Sequence, residues 1–315
     1  MHGIYDFENR HEFRRLTDEI VEKNGHLRES DKRVTGARLR FCTNSPRVKV
    51  VIYVENVYVD RGMSFYQANV GNAFCGEKFM GILSADNSYD SDKIYLDFEN
   101  TPGETITIFL PRNPTVKNIE IGIDDDAQIF PPVDYKICLP FVFYGSSIVE
   151  NGHTSVVNAY PSLLSRFFDA DFYNFGFSGS ARGEKEMAEL IGKMPKSIFF
   201  YDYDHNAPTP EHLRNTHYNF YKIVRGYDEN VPIIMTSRPA NDTKDFAERE
   251  NIVRETYEKA ISEGDKNVYF IPGRALFGDV DENICTTDRT HPNDLGHYLI
   301  AKKLENLINE KGLLK

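Results

Sequence analysis

Asp288 and His291 stand three residues apart near the carboxyl end of the chain, in the stretch CTTDRTHPNDLGHYLIAKKL. On a tight turn, this spacing lets the carboxylate accept the imidazole Nδ1–H, which fixes the ring tautomer and stabilises the protonated ring. Nε2 is then directed at another group, and a serine hydroxyl is a partner that such an imidazole activates. Pro292 fits the first turn of the helix predicted to follow. An isolated Asp-x-x-His is also typical of a solvated helix cap.

The elements that must position this pair begin at about residue 136, where short apolar runs alternate with amphipathic helices. Five predicted strands, each followed by a helix, are the pattern of a parallel, doubly wound sheet. The strands are CLPFVFYG, DFYNFG, SIFFYDY, VPIIMTS and NVYFIPG. The helices are NAYPSLLSRFF, EKEMAELIGKM, PEHLRNTHYNFYKIVRGY, DFAERENIVRETYEKAIS and NDLGHYLIAKKLENLINEKG.

The first half of the chain follows a different pattern, after a short helix predicted around LTDEIVEK. Short runs rich in Val, Ile, Tyr and Phe at period two predict an antiparallel sandwich. These runs are ARLRFCT, KVVIYVENV, KFMGILSA, KIYLDFE, TITIFLP and KNIEIGID. The acidic and then proline-rich segment DDDAQIFPPVDY is the predicted linker. We therefore predict two domains, residues 1–133 and 134–315.

Ligands bind at the carboxyl ends of strands in an open parallel sheet, so the loops there are the place to look for chemistry. Ser147 follows Gly145 after the first of these strands and offers a hydroxyl and a backbone N–H. Gly179 lies in NFGFSGSARGE before a helix, where unpaired N–H groups favour an anion. Asn206 in YDYDHNAPT offers a side-chain amide. Each loop alone is also typical of a turn or a cap.

A metal site from Asp202, Asp204 and His205 is the alternative interpretation of the third loop. No histidine cluster such as HExxH completes a cage, so we predict no metal and no other cofactor. The four cysteines, Cys42, Cys75, Cys138 and Cys285, are widely spaced without a CxxC pair, which predicts reduced, mostly packing residues.

In their order along the chain, these loops resemble the SGNH (GDSL-like) hydrolases over residues of about 138–311. YGSSI looks like the first block, with Ser147 in the place of the nucleophile. NFGFSG and DHNA are similar to the second and third blocks, which implies that Gly179, Asn206 and the Ser147 N–H form the oxyanion hole. DRTHP resembles the last block and implies Asp288 and His291 as the other triad members. There are three departures: Ser146 and Ala207 stand where the family usually has Asp, and the third block lacks its usual glycine.

The resemblance implies a flavodoxin-like three-layer α/β/α domain, here preceded by an all-β, jelly-roll-like sandwich as in bacterial carbohydrate esterases. It also implies a serine esterase for small acyl esters, most of all O-acetyl groups on carbohydrates. A lipase or thioesterase and a non-catalytic glycan-binding protein are the alternatives. Arg182, Tyr144 and His205 are candidates for substrate contact, and for Arg182 a surface role on its helix is the competing interpretation.

The resemblance implies a small acyl ester or an acetylated oligosaccharide as the partner, while charge and hydropathy argue against a nucleic acid and a membrane. The net charge of -11 and the pI near 5.4 argue against a nucleic acid, which needs clustered Lys and Arg. No run of eighteen apolar residues predicts a membrane span, and MHGIYDFENRHEFRR lacks the apolar core of a secretory signal. We therefore expect a cytoplasmic protein, although a signal peptide already removed would leave the same sequence. The oligomeric state and the particular ester stay open.

Overall fold

The first 36 residues form short helices that pack on the second half of the molecule. The computed structural model describes residues 1–57, 62–85, 91–240 and 243–314. The helices are α1 (Phe7–Arg10), α2 (Asp18–Lys23) and α3 (Arg28–Asp31), with a 3₁₀ turn at Gly25–Leu27. Helix α2 lies within the predicted LTDEIVEK segment, with acidic residues in its first turn and Lys23 in its last, as the helix dipole favours.

Eight antiparallel strands follow and form two sheets. They are β1 (Arg38–Thr43), β2 (Arg47–Glu55), β3 (Gly71–Cys75), β4 (Lys78–Leu83), β5 (Lys93–Glu99), β6 (Ile106–Phe109), β7 (Thr115–Gly122) and β8 (Ile129–Phe130). The sheet orders are β4-β3-β6-β1-β8 and β5-β2-β7. Helix α4 (Phe65–Asn69) leads into β3. Alternate residues of β2 (Val48, Val50, Ile52 and Val54) are buried in a core shared by strands of both sheets, which is the predicted period-two pattern.

The second half contains a five-stranded parallel sheet between two layers of helices. Its strands are β9 (Ile137–Gly145), β10 (Ala170–Gly176), β11 (Ile198–Asp202), β12 (Ile233–Thr236) and β13 (Val268–Ile271), in the order β10-β9-β11-β12-β13. Its helices are α5 (Ser147–Glu150), α6 (Tyr160–Phe168), α7 (Lys185–Lys193), α8 (Pro210–Tyr227), α9 (Phe246–Ser262), α10 (Glu282–Cys285) and α11 (Asp294–Lys311). All five predicted strands and all five predicted helices are present, which confirms the predicted fold class.

Each face of this sheet has its own core. Helices α7, α8 and α9 bury their apolar residues on one face, and α6 and α11 bury theirs on the other. The phenyl rings of Phe143 and Phe200, on neighbouring strands, stack with centroids 4.2 Å apart in the second core. The helices cover the two faces of the sheet, and the loops that follow the strands lie at the carboxyl ends of those strands.

Part of the first 36 residues shares a hydrophobic core with the α/β half. Leu16, Ile20, Val21 and Leu27 are buried in the same cluster as residues of β9, β10 and α7. The boundary between residues 133 and 134 therefore remains a prediction, because part of the amino-terminal segment shares a core with the second half. Within the described ranges, no helix combines the length and the apolar character needed to span a bilayer.

Two strands of the first half, β3 and β8, were not predicted, and one cysteine is exposed. Strand β3 was not predicted because its five residues, GNAFC, show no alternation. Strand β8 lies inside the predicted linker and pairs with β1 through only two residues. All four cysteines are free, as predicted, and three are buried, but Cys138 is exposed.

Candidate active site

The site lies where the strand order of the parallel sheet reverses, between the carboxyl ends of β9, β10 and β11. Such a switch point leaves a crevice at the end of the sheet. The loops that follow these three strands carry Ser147, Gly179 and Asn206. The fold therefore brings all three predicted loops to one edge.

Ser147 is held by a close contact between two strand ends. Gly145 has to be glycine here, because a Cβ at this position would lie 1.8 Å from the Asp202 carbonyl oxygen. The Ser146 N–H donates to that same oxygen over 3.0 Å. The Ser146 hydroxyl accepts the Ile148 N–H over 3.2 Å and caps α5, so the departure from Asp at this position preserves a capping group. Ser147 is the first residue of α5 and 4% exposed.

Ser147, His291 and Asp288 form a continuous hydrogen-bonded chain. The Ser147 Oγ lies 2.9 Å from His291 Nε2, and His291 Nδ1 lies 2.8 Å from Asp288 Oδ2. Burial alone would raise the pKa of the Asp288 carboxyl, but hydrogen bonds from the His291 N–H and imidazole and from the Thr290 N–H lower that pKa to about 2. The carboxylate is therefore ionised at neutral pH and can hold Nδ1–H toward itself. This leaves Nε2 free to accept the serine proton.

The turn that carries Asp288 and His291 is fixed by its own backbone. Asp288 Oδ1 accepts the Thr290 N–H over 3.0 Å and the His291 N–H over 2.8 Å. Arg289, between them, adopts a left-handed conformation with φ of 70°. The Asn293 side chain accepts the Gly296 N–H and caps α11 directly after the turn. All of these contacts join residues no more than three apart.

The predicted oxyanion donors lie on the other two loops. Gly179 is exposed, has φ of +67°, and has no atom within 4 Å of the place that a Cβ would occupy. Its role as a backbone donor stays a prediction. The Asn206 amide donates one hydrogen to the Phe177 carbonyl over 2.8 Å. A primary amide carries two hydrogens, and the hydrogen bonds of the described residues account for one. The second can serve an oxygen anion in the crevice.

His153 lies against the triad and was not a candidate in the sequence. Its ring stacks on that of His291, with centroids 4.3 Å apart and planes at 27°. Gly62 packs directly against this ring, because a Cβ at Gly62 would lie 1.8 Å from His153 Cε1. The signal that could have found it is a histidine six residues after the predicted nucleophile in the same loop.

Among the described residues, one set of side chains could bind a metal ion, but it is not the set of Asp202, Asp204 and His205 considered from the sequence. His153, Asp288 and His291 place ligand atoms within 4.8 Å of one another. Two of these residues are already joined to each other and to Ser147 by hydrogen bonds. A cation at this position would therefore compete with the triad geometry. Asp202, Asp204 and His205 do not form such a group in the described part of the chain.

Asp202 and Asp204 are buried and support the loop after β11. Burial raises the pKa of Asp202 well above its ordinary value, although Thr236 and Tyr160 form hydrogen bonds with its carboxyl group. Burial also raises the pKa of Asp204 to about 6, even though Arg238 lies beside it and donates its N–H to the carboxylate. These carboxyl groups hold the ends of neighbouring strands together.

The three candidate substrate contacts occupy different environments. Tyr144 is fully buried, and its hydroxyl bonds to Glu184 and to the Gly183 N–H. The expectation that Tyr144 contacts substrate is therefore wrong, because its side chain points into the core under α8. Arg182 is exposed, and the ring of the half-buried His205 lies 6.4 Å from that of His291. Substrate contact by Arg182 and His205 stays a prediction.

Comparisons with known proteins agree with this fold and assign the family. Residues 139–309, more than half of the chain, match the model of the GDSL-like lipase/acylhydrolase family. The protein therefore belongs to the GDSL-like lipases and acylhydrolases, which are generally ester hydrolases. The search of curated proteins gave no match.

Solved structures resemble the chain over nearly its whole length. One described as a putative GDSL-like lipase from Bacteroides ovatus has 24% identity and a TM-score of 0.83, covering 98% of this chain and 94% of that one. The salicylyl-acyltransferase SsfX3 from a tetracycline biosynthetic pathway has 18% identity, a TM-score of 0.80 and coverages of 96% and 90%. A family two carbohydrate esterase from Clostridium thermocellum, solved with cellohexaose, has 14% identity, a TM-score of 0.66 and coverages of 89% and 94%. At these identities, the similarity concerns the fold, including the antiparallel sheets ahead of the α/β layers.

Proposed function

We propose that the protein is a serine esterase that hydrolyses small acyl esters, and that its substrates are O-acetyl groups on carbohydrates. One observation carries the esterase proposal: Ser147 Oγ lies 2.9 Å from His291 Nε2, while His291 Nδ1 lies 2.8 Å from Asp288. An imidazole held in this way can take the serine proton as the hydroxyl oxygen attacks a carbonyl carbon.

The chemistry proceeds in two acyl-transfer steps. The Ser147 Oγ forms a bond to the ester carbonyl carbon while its proton passes to His291 Nε2, and Asp288 stabilises the imidazolium. The carbonyl oxygen becomes an anion that accepts hydrogen bonds from the Ser147 and Gly179 N–H groups and the Asn206 amide. The C–O bond to the sugar then breaks, and His291 returns the proton to the leaving alkoxide. Water, deprotonated by the same imidazole, releases acetate and restores Ser147.

Two observations support a carbohydrate ester over other acyl esters. The first is similarity of fold through both halves of the chain to the Clostridium thermocellum carbohydrate esterase. The second is a groove of about 380 Å³ between the first β-sheet and the loop after His153. Its walls combine the aromatic rings of Tyr66, Phe74 and Phe79 with the polar groups of Asn72 and Arg166. A lining of aromatic rings with a few polar groups is typical of small-molecule sites, and we propose that this groove takes the carbohydrate part of the substrate.

The proposal is tested by turnover and by chain-length preference. We expect wild type to hydrolyse 4-nitrophenyl acetate faster than the butyrate and octanoate esters, and to release acetate from acetylated oligosaccharides. Preference for octanoate would favour a lipase or thioesterase instead. Binding of the oligosaccharide in a calorimeter without any turnover would favour a glycan-binding protein.

Ser147→Ala tests the nucleophile. We expect kcat on 4-nitrophenyl acetate to fall by about 10⁵–10⁶-fold and labelling by a fluorophosphonate to disappear, since the attacking hydroxyl is gone. Ser262→Ala is the matched control, because Ser262 ends α9 and bonds only to a backbone carbonyl there. Full activity in Ser147→Ala would exclude the proposed mechanism.

A further inference from the structure

Glu150 is a buried carboxylate that the acyl-transfer chemistry does not use. It is the last residue of α5, one helical turn after Ser147, and it is fully buried. A Cβ on Gly176 would lie 2.2 Å from the Glu150 backbone nitrogen, so α5 sits directly on the end of β10. An ion in such a place is costly unless other charges and hydrogen bonds compensate it.

The compensation comes from one backbone N–H and three arginines. Glu150 Oε2 accepts the Ser178 N–H over 2.7 Å. Glu150 Oε1 lies 3.5 Å from Arg33 Nη1 and 3.9 Å from Arg112 Nε. Burial alone would raise the pKa of Glu150, but the charges of Arg112, Arg33 and Arg15 and the Ser178 N–H together lower it. The carboxylate is therefore ionised at neutral pH.

Arg15 holds the same segment from the opposite side. Its Nη1 donates to the Asn174 carbonyl over 2.9 Å and to the Gly176 carbonyl over 2.6 Å. Its guanidinium lies 4.5 Å from the centroid of the Phe177 ring. Burial lowers the pKa of Arg15 to about 10, which leaves the group protonated at neutral pH. Residues 174–178 are thus fixed by buried charges that come from distant parts of the chain.

This segment contacts both of the other donors of the proposed oxyanion hole, Gly179 and Asn206. Gly179 follows Ser178 directly, so the Glu150 bond to the Ser178 N–H sets the peptide before the Gly179 donor. The Phe177 carbonyl accepts from the Asn206 amide and so orients the second donor. A shift of residues 176–178 would therefore move both donors at once.

We propose that Glu150 is a positioning residue for the oxyanion hole, acting with Arg15, Arg33 and Arg112 as a buried ionic support for residues 176–179. Glu150 touches no substrate and acts only through the loop. The inference rests on the proposed esterase function. Its charge is the essential property, because a neutral side chain would remove the negative charge that the buried Arg15 and Arg112 and the partly exposed Arg33 share.

Glu150→Gln tests this role while retaining an oxygen that can accept the Ser178 N–H. A misplacement of the donors by about 1 Å costs up to about 10²-fold in rate, so we expect kcat on 4-nitrophenyl acetate to fall 10- to 100-fold. KM should change by less than about threefold, because the donors act on the transition state. The Ki of a trifluoromethyl ketone, which forms a tetrahedral oxyanion on serine, should rise by the same factor as kcat falls.

Asp265→Asn provides the matched control for loss of a buried ion pair. Asp265 accepts from Arg225 Nε over 2.8 Å and from the Tyr221 hydroxyl over 2.7 Å, at the amino-terminal end of β13. It lies at the opposite end of the sheet from Ser147. We expect this variant to lose thermal stability and to keep its kcat and its Ki for the ketone.

If Glu150→Gln folds poorly, Arg33→Met is the variant to measure instead. The Arg33 side chain is 24% exposed, so its replacement should disturb folding less. We expect a smaller loss of kcat, and no further loss when the change is added to Glu150→Gln. Wild-type kcat and Ki in folded Glu150→Gln and Arg33→Met would overturn the inference, as would losses no larger than those of Asp265→Asn. Wild type that neither turns over acetate esters nor reacts with a fluorophosphonate would instead overturn the proposed function.

Discussion

The turn at residues 286–293 and the loop at residues 176–180 meet at one crevice, but they are held in different ways. In the turn, Asp288 bonds to residues two and three positions away, and its side chain remains 43% exposed. In the loop, the supporting groups come from residues 15, 33, 112 and 150, and all but that of Arg33 are buried. The acid–base chemistry is therefore built locally, whereas the stabilisation of the oxyanion depends on the packing of the whole chain.

Asp288→Asn tests the turn at residues 286–293, and we expect it to lower kcat more than Asn206→Ala or His153→Ala does. An asparagine amide favours the wrong imidazole tautomer, so we expect kcat to fall by about 10³–10⁴-fold with little change in KM. Because the pKa of Asp288 is about 2, the Asp288 carboxylate is ionised from about pH 5 to pH 9, so its own titration should not shape the wild-type pH profile in this range.

Asp281→Asn is the control for this change. Asp281 caps α10 in the same region and accepts the Asn283 N–H, and within the described residues it forms no hydrogen bond with a histidine. Its replacement should leave kcat unchanged. A similar loss in both variants would mean that Asp288 acts by folding the segment and not through His291.

Asn206→Ala tests the loop at residues 176–180, whose supporting groups come from distant parts of the chain. Loss of one oxyanion donor costs about 10²–10³-fold in kcat, and we expect a value in this range on 4-nitrophenyl acetate. The Phe177 carbonyl also loses one of its three donors and keeps the N–H groups of Ser180 and Ala181. The effect should therefore overlap with that of Glu150→Gln, and the two should not add. Asn219→Ala, on the exposed face of α8, is the control. Independent, additive losses would show that Asn206 and Glu150 act on different features.

The comparison also explains which parts of the molecule the sequence could predict. The strands and helices of the α/β half and the Asp288–His291 pair follow from patterns within a few residues. The sequence places Tyr144 beside the predicted nucleophile but does not show that α8 covers its side chain, where the Phe220 ring stacks on it with centroids 4.7 Å apart.

The ionic support of the oxyanion loop had no local signal. Arg15 and Glu150 are 135 positions apart, and neither stands in a recognisable motif. Their proximity arises only after the first 36 residues pack on the edge strand β10. Such contacts depend on tertiary packing, and local propensity carries no information about them.

His153→Ala tests whether the turn at residues 286–293 depends on contacts from the nucleophile loop. The His153 ring stacks on His291 at 4.3 Å, and its backbone N–H donates to the Pro292 carbonyl over 2.9 Å, so the nucleophile loop braces the histidine turn. Removing the ring frees His291 to sample other rotamers, and we expect kcat to fall by about tenfold or less. His153→Phe retains an aromatic face and should recover most of the activity. Equal losses in both variants would mean that an imidazole nitrogen of His153, and not its stacking, is what the triad requires.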